Sequence, residues 1–468
     1  MEASVPDDKD KLKSRFFSAW NNMKYSWVLK TKTYFTRRSP VFLLGKCYHF
    51  KFEELSESSP EGSDSGSFAS DENFGNVEDF RKDFISRIWL TYREGFPPLE
   101  ESTWKTDCGW GCTLRTGQML LAQGLLLHFL GRDWIWPNAL DTDNAEPFSW
   151  SSGMSVQHSA SIDTTSSTDK QVSPCKQPNK NCHKSTTALR HRNIISWFGD
   201  SPAAYFGLHK LVHLGKDSGK VAGDWYGPAV VSHIMRRAME EASDPELKEI
   251  SIYVAQDCTI YTGDVYEQIN NADGEKAILI LIPVRLGGER TNTEYFEFVK
   301  CILCLEYCVG IIGGRPKQSY YFIGFQDDSL IYMDPHYCQS FVDVSITDFP
   351  LESFHCPSPK KMTFKKMDPS CTIGFYCRNS KEFQKATEEL EKVFFCFFSH
   401  SHLIPEGGAL EMVLKSSSRP NHSLFTFVNG HAQDFEFVCS RDHKQSDRNV
   451  EEDQERMQRY DSEEFVLL

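Results

Sequence analysis

Cysteine, histidine and aspartate occur in this chain in a pattern that nucleophilic chemistry can use. Thr106 to Gln118 reads Thr-Asp-Cys-Gly-Trp-Gly-Cys-Thr-Leu-Arg-Thr-Gly-Gln, a glycine-bracketed loop that turns at Cys112 into the apolar-rich run Leu114 to Leu130. A helix starting there sets the thiol among unpaired backbone N–H groups at the positive end of the helix dipole, where a thiolate is favoured. A cysteine serving only as a small buried apolar residue would carry the same local sequence. A reactive thiol needs a base, and the base needs a group to orient it. Tyr332-Met-Asp-Pro-His-Tyr337 offers both. In extended chain Asp334 and His336, two apart, point to the same face, so the carboxylate can fix the imidazole tautomer and stabilise imidazolium. An Asp-Pro turn beside a surface histidine would look alike, and the chain holds 15 histidines.

Other groupings lead elsewhere. Cys301-x-x-Cys304-x-x-x-Cys308 follows the apolar face of a helix expected over Asn292 to Cys308 and has no second ligand pair, so these thiols read as core. Cys175 and Cys182-His183 lie in a polar low-complexity stretch, and Gly310-Ile-Ile-Gly-Gly314 lacks the lysine and hydroxyl of a phosphate loop. Neither a metal nor a cofactor is expected.

Composition narrows the class. The 51 basic and 65 acidic residues leave a net charge of −14, which argues against general nucleic-acid binding. Fifteen cysteines without an N-terminal apolar signal segment point to reduced thiols and a cytoplasmic setting. No apolar run reaches the roughly 20 residues that span a bilayer.

The elements that must position the cysteine and the histidine are legible in outline. Residues 1–52 form a basic, aromatic-rich segment: from Lys11 to Phe52 there are ten basic residues and no acidic one, a composition that suits either a helix packed on the body or an anionic membrane surface. Residues 53–78 read as a disordered linker, 141–184 as a disordered insert and 441–468 as an acidic tail. The body is then 79–140 and 185–440. Helices are expected from Phe80, from Cys112, from Asp200-Ser-Pro202 to about Leu214, over Ala229–Ala242 and over Lys381–Phe398. Strands are expected at Ile250–Ala255, Ala277–Val284, Val309–Ile312, Tyr320–Phe325, Leu330–Asp334, Thr372–Tyr376 and Leu424–Val428, with a mobile loop ending at Pro316. Helices alternating with strands, followed by a run of strands, make an α+β fold around one mixed sheet.

Four stretches in order, Asp107-Cys-Gly-Trp-Gly-Cys-Thr-Leu-Arg-Thr-Gly-Gln-Met119, Asp224-Trp-Tyr-Gly-Pro228, Gly313-Gly-Arg-Pro-Lys-Gln-Ser-Tyr-Tyr-Phe322 and Tyr332-Met-Asp-Pro-His336, together resemble the autophagins, in particular their longer vertebrate members. These are the cysteine proteases of autophagy that process ubiquitin-like modifiers of the GABARAP type. The resemblance implies a papain-like fold with Cys112 as nucleophile, His336 as base and Asp334 as orienter, and it leaves Cys108 outside the triad. It implies that Tyr92 stabilises the oxyanion together with the Cys112 N–H, and that Trp225 and Pro316 gate the cleft. The reaction implied is cleavage after a C-terminal glycine, either trimming a precursor or releasing a lipidated modifier from phosphatidylethanolamine on membranes. Phe465 and Leu468 in Glu463-Glu-Phe-Val-Leu-Leu468 resemble a motif that docks on the same modifiers by adding a strand to a sheet edge. The expected enzyme is a monomer without nucleic-acid partners. The alternative is a weakly active or non-catalytic adaptor that binds the modifier on the same fold, against which the complete triad speaks.

Overall fold

A computed structural model of the chain describes residues 8–49, 77–139, 148–150, 180–271, 274–398 and 424–435. Most of the expected linker and insert, and the tail with Phe465 and Leu468, lie outside the described residues. Among the described residues there are nine α-helices, in chain order α1 Asp8–Lys30, α2 Val77–Ile85, α3 Cys112–Phe129, α4 Lys180–Ser196, α5 Leu208–Gly215, α6 Pro228–Glu241, α7 Thr262–Ile269, α8 Phe296–Leu303 and α9 Ser380–Phe398.

The central sheet runs in the order Lys360–Thr363, Ser329–Met333, Gln318–Gln326, Cys308–Arg315, Ser370–Cys377, Ala277–Arg285, Ile250–Val254. Every neighbour along this path is antiparallel except the last pair, which is parallel. The short hairpin Val41–Leu43 and Lys46–Tyr48 joins at Gln318–Gln326. Ala277–Arg285 shows why its sequence is apolar throughout. Leu279 and Leu281 enter the core beneath α3 and α6, while Ile278, Ile280, Ile282 and Val284 enter the opposite core with α8 and α9. Both faces of the strand are covered, so alternation with polar residues disappears. The result is an α+β domain with a mixed sheet between helical layers.

Helix α3 lies in the first of these cores and is buried from Cys112 to Leu127, which accounts for its apolar-rich sequence. Gly117 lets it approach α6 closely: a Cβ there would stand 2.4 Å from Val231 Cγ1. The fold therefore fixes the position of the Cys112 end firmly.

Two expected elements differ. Asp200-Ser-Pro202 does not open a helix; residues 201–207 form successive turns and α5 begins at Leu208, because the Asp200 carboxylate is engaged by Arg115 and is not free to cap. The helix expected over Asn292–Cys308 is a short 3-10 turn plus α8, capped by Asn292 on the Glu294 N–H at 3.1 Å, and Cys308 already belongs to the next strand. Of the expected insert, Phe148–Trp150 pairs in parallel with Thr33–Phe35, and α4 begins at Lys180.

Candidate active site

The loop before Cys112 is held by one buried carboxylate. Asp107 accepts from the Arg93 N–H at 2.8 Å and takes Arg115 side-on, at 2.8 Å from Nε and 3.0 Å from Nη2. Its carbonyl accepts the N–H groups of Trp110 and Gly111. Arg115 also reaches Asp200 at 2.9 Å. Gly111 must be glycine here, since a Cβ would fall 2.4 Å from an Asp107 carboxylate oxygen. A loop bound this tightly delivers Cys112, fully buried, as the first residue of α3.

His336 lies on the chain that leaves the strand Ser329–Met333. Asp334 Oδ1 accepts both the His336 backbone N–H at 2.9 Å and its Nδ1–H at 2.6 Å. The Asp334 carbonyl accepts the Trp89 indole N–H at 2.7 Å, and the Tyr92 N–H donates to the Pro335 carbonyl at 2.9 Å. With Nδ1 engaged, Nε2 is left buried without an oxygen or nitrogen partner, on the side of the Cys112 thiol.

Charge makes these residues a pair. Burial alone would depress His336, but Asp334 and then Cys112 overcome it and carry the imidazole up to about 10. Burial alone would likewise raise Cys112; His336, assisted by the Ser319 backbone and Tyr92, brings the thiol below its ordinary value. Opposite charges in contact favour each other's ionised form, so the contact favours thiolate with imidazolium. Cys108 behaves in the opposite way. Its contact with the Cys338 thiol, and then burial, push it far above the ordinary range, so it stays a thiol.

Tyr92 is 1% exposed, its ring stands edge-on to His336 at 5.6 Å between centroids, and its hydroxyl, beside Cys112, has no aligned hydrogen-bond partner. A buried unpaired donor beside a nucleophile can receive an anionic oxygen that develops during reaction.

The structure thus brings Cys112, His336, Asp334 and Tyr92 together. Trp225 lies half-buried just before α6, and Pro316 is exposed in the turn between Cys308–Arg315 and Gln318–Gln326, a tight hairpin where a longer loop was expected. Among the described residues no hydrogen bond or ring contact joins either of them to the Cys112–His336 pair.

Sequence reasoning passed over three features. Arg115 had a signal, being a cation inside an apolar helix and so in need of buried acids. Trp89 had none, because its partner Asp334 is 245 positions away. The third is the inner face of α1. Asn21 donates to the His336 carbonyl at 2.6 Å, Asn22 exchanges two bonds with the Cys338 backbone at 2.8 and 2.9 Å, and the Tyr25 ring stacks on His336 at 5.1 Å with 12° between planes. Lys360 closes the end of the helix, donating to the carbonyls of Leu29 at 3.0 Å and Thr31 at 2.7 Å. The outer side of the histidine is therefore covered.

A family model described as the peptidase C54 catalytic domain matches residues 77–389. The chain is 65% identical over 470 residues to a cysteine protease ATG4C of Xenopus tropicalis and 59% identical over 485 residues to that of Homo sapiens, each alignment covering 100% of both chains. A cysteine protease ATG4A of Oryza sativa is 32% identical over 380 residues, 76% of this chain and 68% of that protein. The resemblance carried by the four motifs holds at the level of the whole chain, and the matched domain contains Cys112, Asp334 and His336. The chain belongs to the peptidase C54 family and is a cysteine protease.

Proposed function

We propose that this protease hydrolyses the bond after the C-terminal glycine of ubiquitin-like modifiers of the GABARAP type, trimming precursors and releasing the lipidated form from phosphatidylethanolamine on membranes. The Cys112 thiolate attacks the glycine carbonyl, and the negative oxygen is received by the Tyr92 hydroxyl and the Cys112 backbone N–H at the start of α3. His336 gives its proton to the departing amine as the C–N bond breaks, leaving a thioester. Water then loses a proton to His336, attacks the thioester and frees the carboxylate and Cys112. Asp334 stays ionised and holds the ring in place. One site serves both leaving groups, because a peptide amine and a headgroup amine present the same acyl bond.

Glycine suits the reading: Trp225 and the Pro316 turn, acting as a gate, would pass a strand without side chains and hinder any other. Phe465 and Leu468 supply a second hold on the modifier. The enzyme acts in the cytoplasm, as a monomer, without nucleic acid. The observation that supports this reading most directly is the Asp334–His336–Cys112 set beside an unpartnered Tyr92 hydroxyl.

The test is incubation of the purified full chain with precursor and with lipidated GABARAP-type substrates, beside Cys112→Ala and Cys108→Ala variants. Cleavage after the glycine by wild type and Cys108→Ala, and none by Cys112→Ala, is the expected outcome. Equal activity in Cys112→Ala would remove the mechanism. An active protease that leaves both substrates intact would remove the substrate assignment alone.

A further inference from the structure

Helix α1 presents two unlike faces. Ser18, Asn21, Asn22, Tyr25 and Leu29 turn inward to the segments around His336 and Lys360. Three or four residues apart on the outward side stand Trp20, Met23 and Trp27, exposed by 59%, 60% and 72%, continued beyond the helix by Tyr34 at 61%. Two tryptophans exposed on one helix are costly in water, since each places a large apolar ring in solvent. Lys24, Lys30 and Lys32 are exposed along the same side.

The charge around the stripe is as unusual as its apolar surface. The whole chain carries −14, yet Lys11 to Phe52 contains ten basic residues and no acidic one. That stretch of sequence is cationic within an anionic chain. Among the described residues no helix is long and apolar enough to cross a membrane. The tryptophan indole is suited to the headgroup level, with its ring toward the acyl chains and its N–H toward water.

We infer that the outer face of α1 is a docking surface for an anionic lipid bilayer, with Trp20, Met23 and Trp27 inserted at the headgroup boundary and Lys24, Lys30 and Lys32 lying over the lipid phosphates. The occupant follows from the chemistry of the face. The stripe stands on the outward side of the helix, exposed along its length, so it asks for a surface that conforms to it. The flanking lysines ask for distributed negative charge, each basic residue near such a surface raising affinity about fivefold. Because the opposite face of the same helix covers His336, docking places the catalytic histidine within one helix diameter of the bilayer, about 10 Å. This surface does not depend on the identity of the substrate.

Flotation of the full chain with vesicles of phosphatidylcholine, with and without phosphatidylserine, tests it. The expected result is binding to the anionic vesicles only, weakened by added salt. Trp20→Ala combined with Trp27→Ala, and separately Lys24→Glu combined with Lys30→Glu, should each reduce binding about tenfold or more while thermal melting stays unchanged. Brominated phosphatidylcholine in the anionic vesicles should quench tryptophan emission in wild type and lose that quenching in the double tryptophan variant. Equal binding to neutral vesicles, binding unaffected by the tryptophan changes, or no binding at all would overturn the proposal. So would a wild-type dimer that the tryptophan changes dissolve in the absence of lipid, which would make the stripe a contact between copies.

Discussion

At the active site, the paired charges of Cys112 and His336 make pH the most informative probe. The thiolate exists above the Cys112 pKa, which lies below that of an ordinary thiol, and the imidazolium persists until about 10. We expect kcat/KM to rise on the acid side well before an ordinary cysteine would ionise, and to fall only as pH passes through about 10, when His336 loses the proton it must give to the leaving amine. Asp334→Asn should draw the alkaline limb down toward the ordinary imidazole value and lower kcat by about three to four orders of magnitude, since it removes the negative charge that stabilises imidazolium and fixes the Nδ1–H tautomer; an unmoved alkaline limb would show that Asp334 does not set the pKa of His336. Tyr92→Phe keeps the ring packed against His336 and deletes only the hydroxyl. It should cost about ten- to a thousandfold in kcat with little change in KM, the pattern of a group that acts on the oxyanion. Single-turnover kinetics separate these effects from binding.

Among the elements, α3 and its preceding loop determine whether the nucleophile is in place. Arg115 is 1% exposed between Asp107 and Asp200, so Arg115→Met leaves two buried carboxylates without a counterion. Breaking a buried pair on one side costs about 3–5 kcal/mol. A drop in melting temperature, together with lost activity even below the melting range, is the expected measurement; unchanged activity at low temperature would mean the loop does not rely on this staple. Much of this level could be read in the sequence. The change from glycine-bracketed loop to apolar run located the start of α3 at Cys112, and extended chain at Asp334-Pro-His336 placed acid beside ring. Asp200 was misjudged because a capping side chain and a salt-bridge acceptor are the same residue type, and only the approach of α3 decides between them. Trp89 and Tyr25 escaped for a related reason: both act on the 334–336 segment from far along the chain, and nothing local in their sequence marks a partner.

For the molecule as a whole, stability is tied to buried groups that titrate in acid. His355 is stacked on Trp136 at 3.8 Å, donates to the Ile85 carbonyl and lies 5.1 Å from the His191 ring; burial, with Arg87 nearby, depresses it to about 3, and His191 is depressed as well. Above about pH 6.5 both states are neutral and the fold has its full stability. As pH falls, the unfolded chain takes up protons that the folded one refuses, so stability declines from about 6.5 toward about 3, by roughly 1.4 kcal/mol per pH unit for each histidine. Melting temperatures measured between pH 7 and 5 should fall, and His355→Gln, which keeps a donor but does not titrate, should flatten the slope. The contact between α1 and Lys360 has a bearing on how its cover over the histidine can be studied. Lys360 is buried, which lowers its pKa, and the two carbonyls it serves belong to the end of α1 and the residue after it. Deleting the first 30 residues therefore removes one of the two carbonyls that hold the ammonium group, and leaves the other on a free chain end, as well as uncovering the ring. A truncated enzyme will lose stability while it gains access, and the two changes will pull measured turnover in opposite directions. Tyr25→Ala with Lys360 still capped separates them.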